Sequence, residues 1–516
     1  MRQAEPSAQV QGDVEPDRAR APLVLALDVG SSSTRAAIVD RDGRRLRGTL
    51  NDIPYKMETT VDGGACLDPA VLLEAICKTV DRSLAAAPEQ VSAIAGAGIS
   101  TFWHSLIGLD ASNRPLTPVY TWADIRAAAA LPGLRKLLDV DAYHARVGAI
   151  LHSSYPLAKL AWLAQQEPEL AAQVARWCSF GEYLLLELVG KATCSVSMAS
   201  GTGLFDEVKL CWDDEALAAA RVTPERLSEI SDHPVSGLRD AYAQRWPALK
   251  DIPWFPALGD GACSNLGSGA YGRDRLAVMV GTTGAMRLLW EGEPAAPPPG
   301  LWFYRLDARH GLLGGALSAG GNLLDWLRHH LQLPSEDGIS TGLSELPPDG
   351  HGLTWLPFLA GERSPDWLPD ARSTITGLSL DTTPLEILQA GLEAVAFRFG
   401  LVHEEIETAS PGDRTVIASG NGLLRNPIWM QMVANVLNEP VLASTEAEAS
   451  LKGAAVMALA RLASDGDQAS SAVLKELGRV PLDQARHFEP DADAHRIYQK
   501  AIKRQQSLAR VMAGWG

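Results

Sequence analysis

The stretch Leu23–Asp40, LVLALDVGSSSTRAAIVD, carries two apolar runs separated by Asp28, Gly30 and a cluster of small hydroxyl residues. That order predicts a strand, a tight turn and a second strand. Gly30, Ser31, Ser32, Ser33 and Thr34 put little side chain at the turn and offer backbone N–H groups and hydroxyls to a phosphate. Asp28, closing the first strand, is placed to hold a magnesium ion beside that phosphate. An ordinary hairpin whose Ser and Thr satisfy their own turn fits this stretch as well.

A second copy decides between them. Ala277–Trp290, AVMVGTTGAMRLLW, again runs apolar strand, Gly281, Thr282, Thr283, Gly284, apolar strand. Gly30 and Gly281 stand about half of the 516-residue chain apart. Two duplicated halves, each opening a phosphate-binding hairpin toward a shared crevice, form a nucleotide clamp.

A chain of this length exceeds one compact core, and the duplication favours two large domains. Hydrophobic residues make up 46% and charged ones 21%, the balance of an ordinary globular protein. The net charge of −16 comes without a basic block, which argues against nucleic acid or an anionic membrane as the main partner. Cys66, Cys77, Cys178, Cys194, Cys211 and Cys263 lack C-x-x-C spacing, so reduced thiols in a cytoplasmic protein are expected. Residues 1–22 are polar and read as a disordered tail, 23–252 as the first domain and 253–516 as the second. No run approaches the roughly eighteen apolar residues of a membrane span. A homodimer is compatible with the sequence.

Along the chain, a third strand is expected near Leu46–Leu50, a helix over 69–86 and a buried strand over 91–100 that surfaces at Thr101–Ser105. In LIGLDASNRPLTPVYTWADIRA, Trp122, Asp124 and Arg126 alternate. If extended, all three face one way and make a polyol-binding wall; if helical, Trp122 and Arg126 align one turn apart and the grouping is structural. Residues 134–190 read as a helical insertion.

Asp260 stands between Gly259 and Gly261, either as a helix N-cap or as a carboxylate that flanking glycines leave open to a substrate. Such a carboxylate can take the proton of an attacking hydroxyl. Gly267, Gly269 and Gly272 fit G-x-G-x-x-G without a preceding strand, and no Walker A sequence occurs, so phosphate binding rests on the two hairpins. Further on, PAAPPPG is a rigid loop, GLTWLPFLAGERSPDWLPDARS a strand with a loop bordering the cleft, and 384–406 a long helix. VIASGNGLLRNPIWMQ gives a strand, a Gly420-Asn421-Gly422 turn and a helix start that suits adenine or its ribose, or a plain connection. EASLKGAAVMALARLA is a small-residue helix, and the basic amphipathic end a docked surface helix.

The chain resembles the FGGY carbohydrate kinases of the actin-like ATPase superfamily across everything after its N-terminal tail. DVGSSSTR (28–35), SYPLAKLAWLAQQ (154–166), GDGACSNLG (259–267), VGTTGA (280–285), ITGLSLDTTPLEILQAGLEA (375–394) and SGNGLLRNPIWMQ (419–431) carry the resemblance. It implies two ribonuclease-H-like α/β domains flanking a central cleft, with ATP and a sugar between them and Mg2+ on Asp28. By the same resemblance Asp260 is the catalytic base. The Gly30–Thr34 turn with Thr282 and Thr283 meets the phosphates, and Gly321, Gly420, Asn421 and Asn426 lie on the adenosine side. Asn421 and Gly391 depart from the residues usual in those motifs. Trp103, His104, Trp122, Asp124, Arg126 and Ser154 map onto the sugar wall. FWHSLIGLD, LTPVYTWADIR and PFLAGERSPDW look most like gluconokinases, and His104 with Arg126 is expected to hold a sugar acid. The implied reaction is phosphorylation of D-gluconate to 6-phosphogluconate. A xylulose or other polyol kinase and a non-enzymatic actin-like nucleotide-binding protein are the alternatives.

Overall fold

The apolar runs on either side of the two glycine turns form strands as expected, and each hairpin belongs to a seven-stranded mixed sheet. The computed structural model describes residues 13–463, 467–479 and 485–513. In the first sheet β1 (Leu23–Val29) pairs antiparallel with β2 (Ser33–Val39), Val29 opposite Thr34. On its other side β1 runs parallel to β3 (Ile94–Thr101), which runs parallel to β4 (Leu258–Gly259). The second sheet repeats this arrangement. There β5 (Arg275–Val280) pairs antiparallel with β6 (Gly284–Glu291) and parallel with β9 (Thr415–Ser419), which continues to β10 (Val441–Ala443). Beyond β6 lie β8 (His310–Leu317) and β7 (Trp302–Asp307).

Nearly continuous apolar strands are buried on both faces, so each sheet is covered by helices. On the first, α1 (Pro69–Ala85) starts at Asp68, whose carboxylate accepts the N–H groups of Ala70 and Val71. The helix α2 (Pro156–Gln166) and α3 (Phe180–Val189) belong to the insertion. That insertion is not wholly helical: Arg176–Cys178 pairs with Ile107–Leu109. After β4 comes α4 (Asp260–Gly267). In the second lobe α5 (Gly321–His330), α6 (Pro384–Ala409) and α7 (Pro427–Leu437) cover the sheet.

Three sequence expectations change. Asp13–Val14 pairs with Arg45–Leu46 and Val14 is buried, so 13–22 is ordered on the sheet edge; the rest of the expected tail lies outside the described residues. The expected third strand is two short ones, Arg45–Leu46 and Asn51–Pro54. The lobe boundary is not a cut at 253, because β4 completes the first sheet and α8 (Ala449–Leu462) returns from the second half to pack on it. Leu451, Ala455, Ala458 and Leu459 cover Val24, Ala26, Val39 and Phe255. Where α8 crosses α4 the backbones nearly touch: a Cβ on Gly453 would lie 1.9 Å from the Cys263 carbonyl, and one on Gly267 1.9 Å from that of Ala449. The last helix, α9 (Ala492–Ala513), docks Tyr498 and Ile502 into the second core. Among the described residues no helix is long and apolar enough to cross a membrane, and all six cysteines are free.

Candidate functional site

Both hairpins turn at the same side of their sheets, and between them opens a cavity of about 260 Å3. Ser31 from the first turn, Thr283 from the second and Asp260 at the start of α4 all line it. That volume is below the roughly 300–1,000 Å3 of sites for drug-sized ligands and suits one small acceptor.

Asp260 opens α4 rather than preceding it as a cap: Gly259 is the capping residue, and the Asp260 carboxylate accepts the Gly261 N–H at 2.8 Å. Burial raises its pKa above the ordinary carboxylate value, against the opposing pull of Arg287 and of the Gly261 and Trp103 backbone N–H groups. The flanking glycines serve a neighbour, not the substrate. A Cβ on Gly259 would lie 1.8 Å from Trp103 Cε2, and one on Gly261 2.7 Å from its Cζ3. The Trp103 indole therefore lies directly against the turn that carries Asp260, its Nε1 donating to Ser197 O at 2.9 Å.

The first phosphate turn is shorter than the sequence indicates. Ser31 and Ser32 form its tip, closed by Gly30 N–H donating to Ser33 O at 2.9 Å. Ser33 and Thr34 are buried in β2 and belong to the strand, which corrects the expectation that they face a phosphate. The second turn is braced from outside: Gly321 N–H donates to Gly281 O and Asn322 N–H to Thr282 O, both at 2.9 Å. Gly321 thus begins α5 against the phosphate loop, and Gly420 lies against the Val280 carbonyl just before it. Asn421 opens the short helix Asn421–Leu424, while the Asn426 side chain is committed to Gly422 O at 2.6 Å.

Asp28 is buried at the end of β1, beside Ser100. Burial, with Asp260 and Glu448 nearby, pushes its pKa up to about 7. Its guanidinium neighbour Arg35 is 3.6 Å away and shared with Asp52 at 3.2 Å and Glu448 at 3.3 Å. A crowded set of hard oxygens short of positive charge fits Mg2+, and Asp28 is the residue that would hold it, directly or through water.

The acceptor wall divides. Trp103, His104, Trp122 and Ser154 line the cavity, together with His152, Tyr155, Trp302, Tyr304 and Trp367, which the sequence did not single out. Asp124 and Arg126 do not. Trp122 and Ala123 form a turn closed by Asp124 N–H donating to Thr121 O, and Arg126 starts a 3-10 helix, so the three residues neither alternate on a strand nor stack on an α-helix. Arg126 Nη2 donates to Asp124 at 2.6 Å, Asp124 also accepts the Ala65 N–H, and the guanidinium lies 4.9 Å from the Trp162 ring. This pair satisfies itself behind the wall, and the expectation that it grips the substrate is corrected.

The two histidines present opposite groups. His104 Nδ1 donates to Gly201 O at 2.6 Å, leaving Nε2 an acceptor; His152 Nδ1 accepts the Ser154 N–H at 3.2 Å, leaving Nε2 a donor. Burial lowers their pKa values to about 3 and about 4. Beneath them Lys159 donates to His104 O at 2.9 Å and to Ser154 O, and burial brings its ammonium down to about 7. Across the cavity Tyr155 and Tyr304 hydroxyls meet at 2.5 Å, joining the lobes, and Tyr304 stacks on Trp302 at 4.2 Å. Trp302 and Tyr304 alternate on β7, a period-two signal that the quoted motifs did not include.

The remaining lining residues are Met279, Ala316, Arg287 and Arg363. Arg287 follows the second phosphate turn on β6, and Arg363 sits in the loop that the sequence placed at the cleft border.

Comparison with known proteins agrees with this geometry. The N-terminal domain of the FGGY family of carbohydrate kinases matches residues 23–267, and the C-terminal domain of that family matches residues 276–462. The chain is similar to a gluconokinase of Bacillus subtilis, 28% identical over 84% of this chain and 87% of the relative. A xylulose kinase of Streptomyces coelicolor is 29% identical over 85% of this chain and 88% of the relative. The crystal structure of a gluconate kinase from Lactobacillus acidophilus superposes with a TM-score of 0.86 at 25% identity, covering 95% of this chain and 98% of the other.

Proposed function

The chain belongs to the FGGY family of carbohydrate kinases and is an ATP-dependent sugar kinase, and from that premise we propose that its acceptor is D-gluconate, released as 6-phosphogluconate. The observation that carries the reaction is one small cavity lined by Asp260, Ser31 and Thr283, so that a base and both phosphate turns reach the same acceptor.

Asp260 takes the proton of the acceptor hydroxyl as its oxygen attacks the γ-phosphorus; the bond from that phosphorus to the β-γ bridging oxygen breaks, and ADP leaves with its electron pair. A carboxylate whose pKa is raised by burial is a stronger base than one at the surface. The turn N–H groups and hydroxyls of Ser31, Ser32, Thr282 and Thr283 hold the phosphate chain, and Gly321, Gly420 and Asn421 border the nucleoside. Mg2+ on Asp28 would supply charge neutralisation for the triphosphate. Positioning and charge compensation supply most of the acceleration in such transfers.

Gluconate is favoured over neutral polyols by FWHSLIGLD and LTPVYTWADIR, which look most like gluconokinase sequences, and by the arginines among the lining residues. The comparable identity to a xylulose kinase supports a neutral ketose as the second reading. A coupled ADP assay with gluconate, D-xylulose and glycerol separates them: gluconate is expected to give the highest kcat/KM. A preference for xylulose would establish the second reading, and no sugar-stimulated ADP release would overturn both.

A further inference from the structure

Most cations beside the cavity are already committed. Arg126 is bound to Asp124, Arg35 is shared among three carboxylates, and Lys159 is held by two backbone carbonyls. Arg287 and Arg363 differ. Among the described residues neither has a carboxylate within ion-pairing distance, and both line the cavity. Arg287 Nε has no hydrogen-bond partner although it is shielded from solvent. Arg363 donates from Nη2 to Leu317 O, a neutral backbone group, and the adjacent Glu362, which attracts it from beyond ion-pairing distance, is itself paired with Arg398. Besides burial, the Arg363 charge lowers the pKa of the Arg287 guanidinium and of His104 and His152, which places the two positive charges in one enclosure.

Two buried guanidiniums without an ion-paired partner carry a desolvation cost and mutual repulsion that a bound anion would offset. Asp260 attracts Arg287, yet no ion pair joins them, and Asp260 does not act on Arg363. The fork of an arginine matches a carboxylate through two parallel hydrogen bonds. Both arginines come from the second lobe, Arg287 from β6 and Arg363 from the loop tied to the end of β8 by Leu317. His104, His152 and Ser154 come from the first lobe and show the acceptor and donor groups that suit hydroxyls.

We propose that Arg287 and Arg363 are the specificity-determining residues of this kinase and receive the carboxylate of a sugar-acid acceptor, whose hydroxyls lie on the first-lobe wall. The assignment rests on the gluconate reading above. It replaces Arg126, which the sequence pattern suggested for that task.

The test compares gluconate with D-xylulose on the full-length enzyme and on R287L and R363L, with R287K and R363K as charge-preserving partners. Loss of the seat is expected to lower kcat/KM for gluconate by about a hundredfold or more in each leucine variant, because a site built to pair a polar group discriminates strongly once that group is unpaired. The loss with xylulose is expected to be at least about tenfold smaller, and the lysine variants to fall between. Titration of gluconate into the nucleotide-free enzyme should show the same weakening, read as a raised Kd. Equal losses with both acceptors, or an unchanged gluconate Kd, would overturn the proposal and give the arginines to the transferring phosphoryl group. Failure of the unaltered enzyme to act on gluconate would instead overturn the acceptor reading itself, before any variant is made. Should R363L not fold, the R287L and R287K pair decides the matter alone.

Discussion

At the scale of single residues the site turns on Asp260 and on the space around it. Replacing its carboxylate in D260N should lower kcat at least about a hundredfold while leaving the Kd for ATP nearly unchanged, checked by steady-state kinetics and nucleotide titration. Gly259 tests the packing. An added methyl meets the Trp103 ring at 1.8 Å, so G259A must push the indole out of its place under the Asp260 turn. Overpacking of that kind costs about 1–3 kcal/mol, and a lowered Tm together with a raised KM for the sugar is expected from thermal melts and kinetics. Asp260 and its two glycines were legible in the sequence because G-D-G after a short extended run is a local signal. What the glycines make room for was not, since Trp103 lies far away in the chain. The pairing of Arg126 escaped notice for a related reason: Asp124 two positions away takes it at 2.6 Å only in the turn the chain adopts there, and the unpartnered Nε of Arg287 likewise exists only in three dimensions.

At the scale of elements, the two hairpins read correctly because two apolar runs and the glycine turn between them are encoded within about fifteen residues. Their ends did not read as well. Ser33 and Thr34 resemble the turn in composition, but they are buried in β2 and pair with Pro54 and Ile53 of the neighbouring strand Asn51–Pro54, a partner that composition does not announce. Likewise α8 was recognisable as a small-residue helix, while its docking on the other lobe was not, because nothing in its own period distinguishes one sheet from another. That docking depends on the backbone approach at Gly453. In G453A the new methyl would lie 1.9 Å from Cys263 O, and the two helices must part. We expect the variant to melt several degrees lower and to lose activity as well, because α4 carries Asp260 at its start; circular dichroism melts and the coupled assay check both.

At the scale of the whole molecule, two lobes of matching strand order enclose a site to which each contributes, and the enclosure keeps His104 and His152 neutral. Their folded pKa values of about 3 and about 4 lie below the ordinary histidine value, so between pH 6.5 and 4 the unfolded chain binds protons that the folded one refuses. Stability is therefore lost as the pH falls through that window, by at most about 1.4 kcal/mol per pH unit for each histidine. Asp28 and Glu362, raised by burial to about 7, act in the opposite sense over the same window, so the check is a difference: from pH 7 to pH 5 the Tm of H152Q, whose side chain does not titrate in this range, should fall less or rise more than that of the unaltered protein.

The return of α8 to the first lobe also bears on how the protein is made. The sheet face formed by Val24, Ala26 and Val39 is complete early in synthesis, yet Leu451, Ala455 and Leu459, which cover it, leave the ribosome only near the end. The first-made lobe must therefore wait, oily face bare, through the synthesis of nearly all of the second. Growth of the nascent chain and closure of its first core are thus separated in time, and a helper that shields apolar surface has its greatest value during that interval.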